Sequence, residues 1–524
     1  MSWFPRPQKA ADIRVFRAGS ALNKEQLFAL LHDPSAAEWQ DKVGVAGPVE
    51  GSAKSTTRLM CVNGWVLKTN MDAATTDVDA ALEKNRVSAA MCGRVRIWHP
   101  DKTWAAYLAN DKWLPLSATP ELTTLRKLTD KDEKLRSWTA MIEIAVEAGL
   151  NYKIGLDLNP SNFGRLPGSE KLYYLDDEWY PQLRFTELAS AVVARIPEEP
   201  DISESEWESW GRILAVVFDP VCFGNAQSEL LDGIDGHPLV PQFQAKRAAM
   251  CNGLKRTWGD RRKSSAKPNR AWADGAVQRT AIIADVHSNA VALDAVLKEC
   301  AAQNVDSYIF VGDAVGYGPQ PRECVQRLAE LPNAQFVRGN HDHTIGIGVH
   351  KDSMNRLARA SASWTHEQLS NEERHWLLAL PLEARGPGWL AVHGAPKDPR
   401  RFFSYVYELT FKDNLDHLAN SDIKLCFCGH THVQYVHEKL LDGECKKLGA
   451  PPSVQLNNQS ILLVNPGSVG QPRDRDNRAA FAIWDRAQSA ISMHRVEYSV
   501  ETVIEALRRS GLPVDLGERL RNGI

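Results

Sequence analysis

The sequence has no excess of either charge: 62 Lys and Arg stand against 65 Asp and Glu, a formal net charge of −3. That excludes a global attraction to nucleic acid or to a membrane surface and leaves only local patches to act that way. It also lacks an apolar run long enough to span a bilayer, and its first residues, with Trp3, Pro5 and Pro7, lack the apolar centre of a signal peptide. A cytoplasmic protein with no membrane partner is expected. Cysteine offers no framework either. The nine cysteines are an odd number without paired zinc spacing, Cys426 and Cys428 sit inside one apolar run, and free thiols in a reducing compartment follow. Internal repeats and low-complexity tracts are missing too. At 524 residues the chain exceeds one ordinary domain, so two domains with their own cores are expected.

What is present is a recurring pattern in the second half. Residues 281–284 read as a buried strand that stops at Asp285, Val286 and His287. Side chains two apart in an extended segment share a face, so Asp285 and His287 can serve one ligand. The same grammar returns downstream. Residues 307–311 stop at Gly312 and Asp313; residues 334–337 lead through Arg338 to Gly339, Asn340, His341 and Asp342. Residues 389–392 stop at His393 and Gly394, and residues 424–428 deliver Gly429, His430, Thr431 and His432. One such fragment is an ordinary surface loop. Five of them, each bringing Asp, Asn or His to the carboxyl end of a strand, where open α/β sheets carry their sites, specify a binuclear metal site.

These residues resemble the calcineurin-like metallophosphoesterases, in the branch of small bacterial phosphodiesterases and diadenosine-tetraphosphatase-like enzymes. The resemblance covers about residues 278–485 and takes in Gly316-Tyr317-Gly318-Pro319 and the run from Asn465 to Arg473; Ser288 departs from it, where the family commonly has glycine. The resemblance implies one metal on Asp285, His287, Asp313 and His432, and a second on Asn340, His393, His430 and a shared Asp313. Such donors suit Mn, Fe, Zn or Ni, and two divalent ions can clamp a phosphate and activate a water. His341 would protonate the leaving oxygen with Asp342 orienting its ring, and Arg338 and Arg473 would grip the phosphate.

In the first half, residues 58–68 hold two apolar runs separated by Asn63-Gly64, the favoured hairpin turn, and the second run ends in Lys68. Gly44, Gly47 and Gly51 punctuate the loop before it. A helix-like stretch at 132–148 leads to Asp157 and, five positions on, Asn162; a strand at 171–175 then ends in Asp176, Asp177 and Glu178. This order resembles the protein-kinase-like superfamily. The resemblance implies that Asp157 accepts the proton of the phosphorylated hydroxyl and that Asn162 and Asp176, or Asp177, hold Mg²⁺. Lys68 would contact the ATP phosphates with Glu83 as its partner, Gly47 and Gly51 would belong to the nucleotide loop, and residues 104–116 would seat adenine. Gly155 and Leu156 replace the usual His-Arg, Asn159 stands where many have Lys, and the glycine loop departs from the usual spacing. These departures leave the substrate class open.

Between the halves, residues 255–279 turn basic, which reads as a flexible linker or as a track for RNA or nucleotide phosphates, with Trp258 and Trp272 as stacking candidates. The stripe of Trp207, Trp210, Ile213, Leu214 and Val217 is core of a helical lobe, residues 343–380 are expected as a helical cap over the metal face, and 499–509 as an amphipathic helix docked on its own domain. The expected architecture is an α+β bilobal kinase-like domain at 1–254, a linker at 255–277, an α/β phosphoesterase domain of packed sheets flanked by helices at 278–498, and a helical segment at 499–524. The expected function is a bifunctional kinase and phosphatase using ATP, Mg and two divalent ions on a phosphorylated RNA, nucleotide, protein or metabolite. The alternative is a phosphoesterase regulated by an inactive, nucleotide-sensing kinase-like half.

Overall fold

The computed structural model describes residues 4–17, 22–40, 57–83, 97–166, 169, 171–176, 179–222, 225–266, 277–348, 354–399, 404–421, 423–457 and 459–524. Gly47, Gly51, Asp177 and Trp272 lie outside them. The chain divides into two compact units, Met1–Ser203 with Val217–Arg247, and Glu204–Val216 with Ala248–Ile524. The division therefore does not fall at residue 254. Nor is the basic stretch a loose tether as far as it is described, because Gln244–Ala266 is one helix. Met250, Leu254 and Trp258 recur at intervals of four and are buried, and Trp258 Nε1 donates to the Ala215 carbonyl at 3.1 Å. This apolar stripe, not the basic surface, decides the state of the segment. Trp258 is thereby unavailable to stack a base.

In the first unit, β1 (Ile13–Arg17), β2 (Ala37–Gln40), β3 (Thr57–Val62), β4 (Trp65–Asn70), β5 (Thr103–Ala109) and β6 (Lys112–Pro120) form one antiparallel sheet in the order β1-β5-β6-β4-β3-β2. Asn63 and Gly64, at φ 47° and 75°, close the β3–β4 hairpin as their sequence demands. Residues 104–116, expected to be a hinge, instead run through β5, turn at Asn110-Asp111 and enter β6. Nearly unbroken burial along β5 and from Leu114 onward explains this, since a buried backbone must pair its N–H and C=O groups. The helix Lys131–Tyr152, N-capped by Asp130, then leads to a small sheet of β7 (Thr123–Thr124), β8 (Phe163–Arg165) and β9 (Tyr173–Tyr174).

In the second unit, β10 (Arg279–Ile283), β11 (Ser307–Phe310), β12 (Ala334–Phe336), β13 (Glu383–Gly386), β14 (Trp389–Val392), β15 (Leu425–Phe427), β16 (Gln434–Leu440), β17 (Cys445–Gly449), β18 (Ser453–Gln455), β19 (Ser460–Pro466), β20 (Ala479–Asp485) and β21 (Ala490–Val496) make two six-stranded sheets. Their orders are β12-β11-β10-β20-β21-β18 and β13-β14-β15-β19-β16-β17. Ile282, Ile309 and Val337 of the first meet Ala391, Phe427 and Val464 of the second in a common core, so the sheets pack face to face. Strands apolar on both sides need a second cover. Helices Ala290–Ala302 and Pro321–Ala329 provide it on the first sheet, and Phe411–Asn420 on the second.

The described residues of 343–380 are mostly helical, in Asn340–Ile347, Arg356–Gln368 and Asn371–Ala379. Ala358, Ala362, Leu377 and Leu380 join the core outside the first sheet, so these helices belong to its covering layer. Helices Val500–Arg509 and Asp515–Asn522 add Val503, Leu507, Leu516 and Leu520 to the same core. The described cysteines are all free thiols, and no helix of the described residues is long and apolar enough to cross a membrane.

Candidate metal centre

Strands β10, β11, β12, β14 and β15 end on one side of the sandwich, and the residue runs that follow them converge. Asp285, His287, Asp313, Asn340, His341, His393, His430 and His432 are all buried there. The backbone turns through the left-handed region at Asp285 (φ 53°), His287 (φ 48°), Asp313 (φ 60°), His430 (φ 68°) and His432 (φ 61°). Strain of this kind persists only where surrounding bonds over-determine it. Ser288 shares it at φ 55°, where glycine would be at ease, and its Oγ compensates by accepting from Gly316 N at 3.0 Å. Gly339 is needed for another reason: a Cβ there would overlap the Asp313 carboxylate.

The donor atoms fall into three overlapping groups. Asp285, His287 and His432 form one, Asp313, His393 and His430 another, and His287, Asp313 and His341 link them. His287 Nδ1 lies 3.1 Å from the Val315 carbonyl and His432 Nδ1 2.6 Å from that of Gln471, so both imidazoles carry their proton on Nδ1. Their Nε2 lone pairs then face each other at 3.1 Å. His393 repeats the arrangement, with Nδ1 2.9 Å from the Val311 carbonyl and Nε2 3.2 Å from His430 Nδ1 and 3.0 Å from Asn340 Oδ1. Lone pairs so disposed repel unless a cation lies between them. Asp313 Oδ2, buried without a hydrogen-bond partner, points to the same need. The set fits two divalent cations bridged by Asp313.

Electrostatics agrees at three of the four imidazoles. Burial drives the His287, His430 and His432 imidazoles well below their usual range, which keeps them neutral and ready to ligate. Burial also raises the Asp285 carboxyl, to about 8, with Asp313 adding to the effect. His393 is the exception: burial is outweighed by Asp313 and Asp285, which lift it to about 9, so this ring carries a second proton until a cation displaces it.

Two expected roles change. Asp342 does not orient the His341 ring. As the third residue of its helix it accepts from Gly339 N at 3.0 Å and reaches Asp313 N at 2.9 Å and Ala314 N at 2.8 Å, because a carboxylate at a helix N-terminus finds free N–H groups nearest. It fixes the loop that presents Asp313. Arg338 does not open towards a phosphate; it is buried, its Nη1 donates to the Leu378 carbonyl at 2.6 Å, and burial lowers its guanidinium to about 9. His341 lies between Tyr317, 4.7 Å away, and His287, 4.9 Å away, with Nδ1 unpartnered. Burial lowers it to about 4. Arg473 reaches over the Tyr317 ring at 5.7 Å. Within the run Asn465 to Arg473, two residues act as scaffolding: Asn465 Nδ2 holds the Gly429 carbonyl at 2.8 Å, and the Gln471 carbonyl orients His432. Sequence reasoning missed Tyr405, stacked on His430, and Arg519, whose guanidinium is lowered by burial and by Arg473.

In the first unit, Lys68 on β4 is ion-paired with Asp176 after β9. Asn162 hydrogen-bonds Asp157, whose carboxyl is raised by burial and by Asp176. These four residues share one place. Glu83 is exposed on the helical turn 78–83. A buried lysine that sequence reasoning also missed, Lys102, donates to the Leu175 carbonyl at 2.8 Å and steadies the chain entering Asp176.

Sheets packed face to face with a paired donor set at their strand ends define a binuclear metal-dependent phosphoesterase. Residues 279–489 match the calcineurin-like phosphoesterase superfamily domain, and through this half the chain belongs to that superfamily. The uncharacterized protein MJ0912 of Methanocaldococcus jannaschii is 35% identical over 244 residues, 46% of this chain and 96% of that protein. The symmetrical bis(5'-nucleosyl)-tetraphosphatase of Vibrio vulnificus is 30% identical over 115 residues, 21% of this chain and 42% of that protein. The crystal structure of a metallophosphoesterase from Sphaerobacter thermophilus is 36% identical at a TM-score of 0.41, covering 47% of this chain and all of that one.

Proposed function

We propose that the second half hydrolyses phosphoesters with Asp285, His287, Asp313 and His432 holding one divalent cation and Asn340, His393, His430 and the shared Asp313 holding the other. The observation that carries this is the facing Nε2 atoms of His287 and His432 together with the gathering of His393, His430 and Asn340 beside Asp313. The cations would supply the positive charge that binds phosphoryl oxygens and activates water. Asn340 presents its amide oxygen and Arg473 meets a non-bridging oxygen of the phosphate; His341, neutral in its buried place, would take up a proton as the phosphate anion binds beside it and pass it to the leaving oxygen. Asp313→Ala protein with Mn²⁺ should lose hydrolysis of p-nitrophenyl phosphate and of its bis-ester by more than the roughly 10–100-fold that loss of a supporting residue costs. Retained turnover would overturn the assignment.

For the first half, the gathering of Lys68, Asp157, Asn162 and Asp176 favours ATP-dependent phosphoryl transfer, with Asn162 and Asp176 as the Mg²⁺ ligands, Lys68 on the phosphates and Asp157 receiving the hydroxyl proton. The two halves would then act on one target class as a kinase and phosphatase pair. Phosphoesterase-dead Asp313→Ala protein, given γ-labelled ATP and cell protein, RNA or metabolite fractions, should label one fraction, and Asp157→Ala should abolish the label. ATP binding without label in any fraction would leave the alternative, a nucleotide-sensing half that regulates the phosphoesterase.

A further inference from the structure

Beside the metal centre stands a turn that the hydrolytic chemistry does not use. Val406 is buried in the core outside the second sheet, and its carbonyl accepts from Tyr435 Oη at 3.3 Å. Thr410 Oγ1 donates to the Tyr405 carbonyl at 2.8 Å, and Thr410 N to that of Tyr407 at 2.9 Å. With Val406 pinned inward and the turn closed behind it, Tyr405 and Tyr407 face outward, 41% and 51% exposed. Tyr405 is nevertheless fixed: one face lies flat on His430, with centroids 4.0 Å apart and planes 23° apart, while solvent reaches the rest of the side chain. An aromatic surface held open at a site mouth costs hydrophobic free energy unless something covers it. Burial raises the Tyr405 hydroxyl, and Arg473, which stands over the Tyr317 ring at 5.7 Å, opposes that shift, so Arg473 and Tyr317 share its neighbourhood.

Resting on the phosphoesterase reading above, we propose that Tyr405 is a specificity-determining residue that stacks a planar aromatic group, a nucleobase, of the phosphoester held at the metal pair. The chemistry of the mouth is complementary to a nucleotide. Arg473 and the cations take the anionic phosphate. One ring thickness beyond His430, the open side of Tyr405 takes the flat apolar group. A phosphorylated aliphatic side chain would meet the same charges and leave Tyr405 bare.

The test uses full-length Mn²⁺-loaded protein and two phosphates that differ only by the base, adenosine 5′-monophosphate and ribose 5-phosphate. Binding is read by equilibrium dialysis and by inhibition of p-nitrophenyl phosphate or bis-ester hydrolysis. Wild type should bind the nucleotide about ten-fold or more tightly than the sugar phosphate; Tyr405→Ala should erase that difference and Tyr405→Phe preserve it. Equal binding of the two by wild type overturns the proposal, as does a Tyr405→Ala protein that keeps the difference. Loss of metal from Tyr405→Ala, measured on the same samples, also overturns it, because Tyr405 would then serve only to support His430. A metal-loaded wild type that binds neither phosphate and hydrolyses neither ester overturns the phosphoesterase reading itself.

Discussion

Asp342 shows how much a single residue can do without touching a metal. Its two oxygens gather the N–H groups of Gly339, Asp313 and Ala314, and so fix the backbone that aims the bridging carboxylate. Asparagine at this position has the same shape but only one acceptor. Asp342→Asn should therefore weaken metal binding by roughly 10–100-fold, the usual consequence of losing a supporting partner. Titrating metal-free protein with Mn²⁺ measures this directly, and an unchanged affinity would show that the loop holds its shape without the carboxylate. Ser288 teaches the complementary lesson. A left-handed residue beside the ligands can be something other than glycine when its hydroxyl meets a backbone N–H.

At the scale of elements, the two C-terminal helices belong to the phosphoesterase core. Leu516 and Leu520 join Leu507 and Val286, the residue between ligands Asp285 and His287, in one cluster. Leu516→Ala should lower stability by about 2–5 kcal/mol, the ordinary range for a buried leucine, as read from urea unfolding. A change below about 0.5 kcal/mol would mean the helix is only loosely attached. Amphipathic spacing made the helix at 499–509 legible in advance. The helix Gln244–Ala266 was less legible, because its basic residues mask the stripe of Met250, Leu254 and Trp258 that buries it.

For the whole molecule, metal binding and folding of the phosphoesterase unit are linked. Imidazole nitrogens and carboxylates collected from five strand ends leave donor atoms facing one another that cations would join, and any ligand bound by the native state alone adds to its stability. Chelation by EDTA should lower the thermal unfolding temperature of this unit by several degrees, with Mn²⁺ restoring it, since about 2.7 kcal/mol attends a ligand held at a hundred-fold excess over its Kd. No shift in scanning calorimetry would place the binding energy elsewhere than in the fold.

The pattern of apolar runs ending in Asp, Asn and His determined, from sequence alone, which residues converge at the strand ends, because strand burial and donor chemistry are both local properties of the chain. The hairpin at Asn63-Gly64 was legible for the same reason. Only the tertiary structure decided what the neighbours of those residues do. Arg338 turned inward to a carbonyl forty residues on, Asp342 turned to the Asp313 loop, residues 104–116 paired as a hairpin, and Tyr405 came to lie on His430. Each outcome depends on which backbone groups need a partner once distant segments are packed together, and neither composition nor spacing records that.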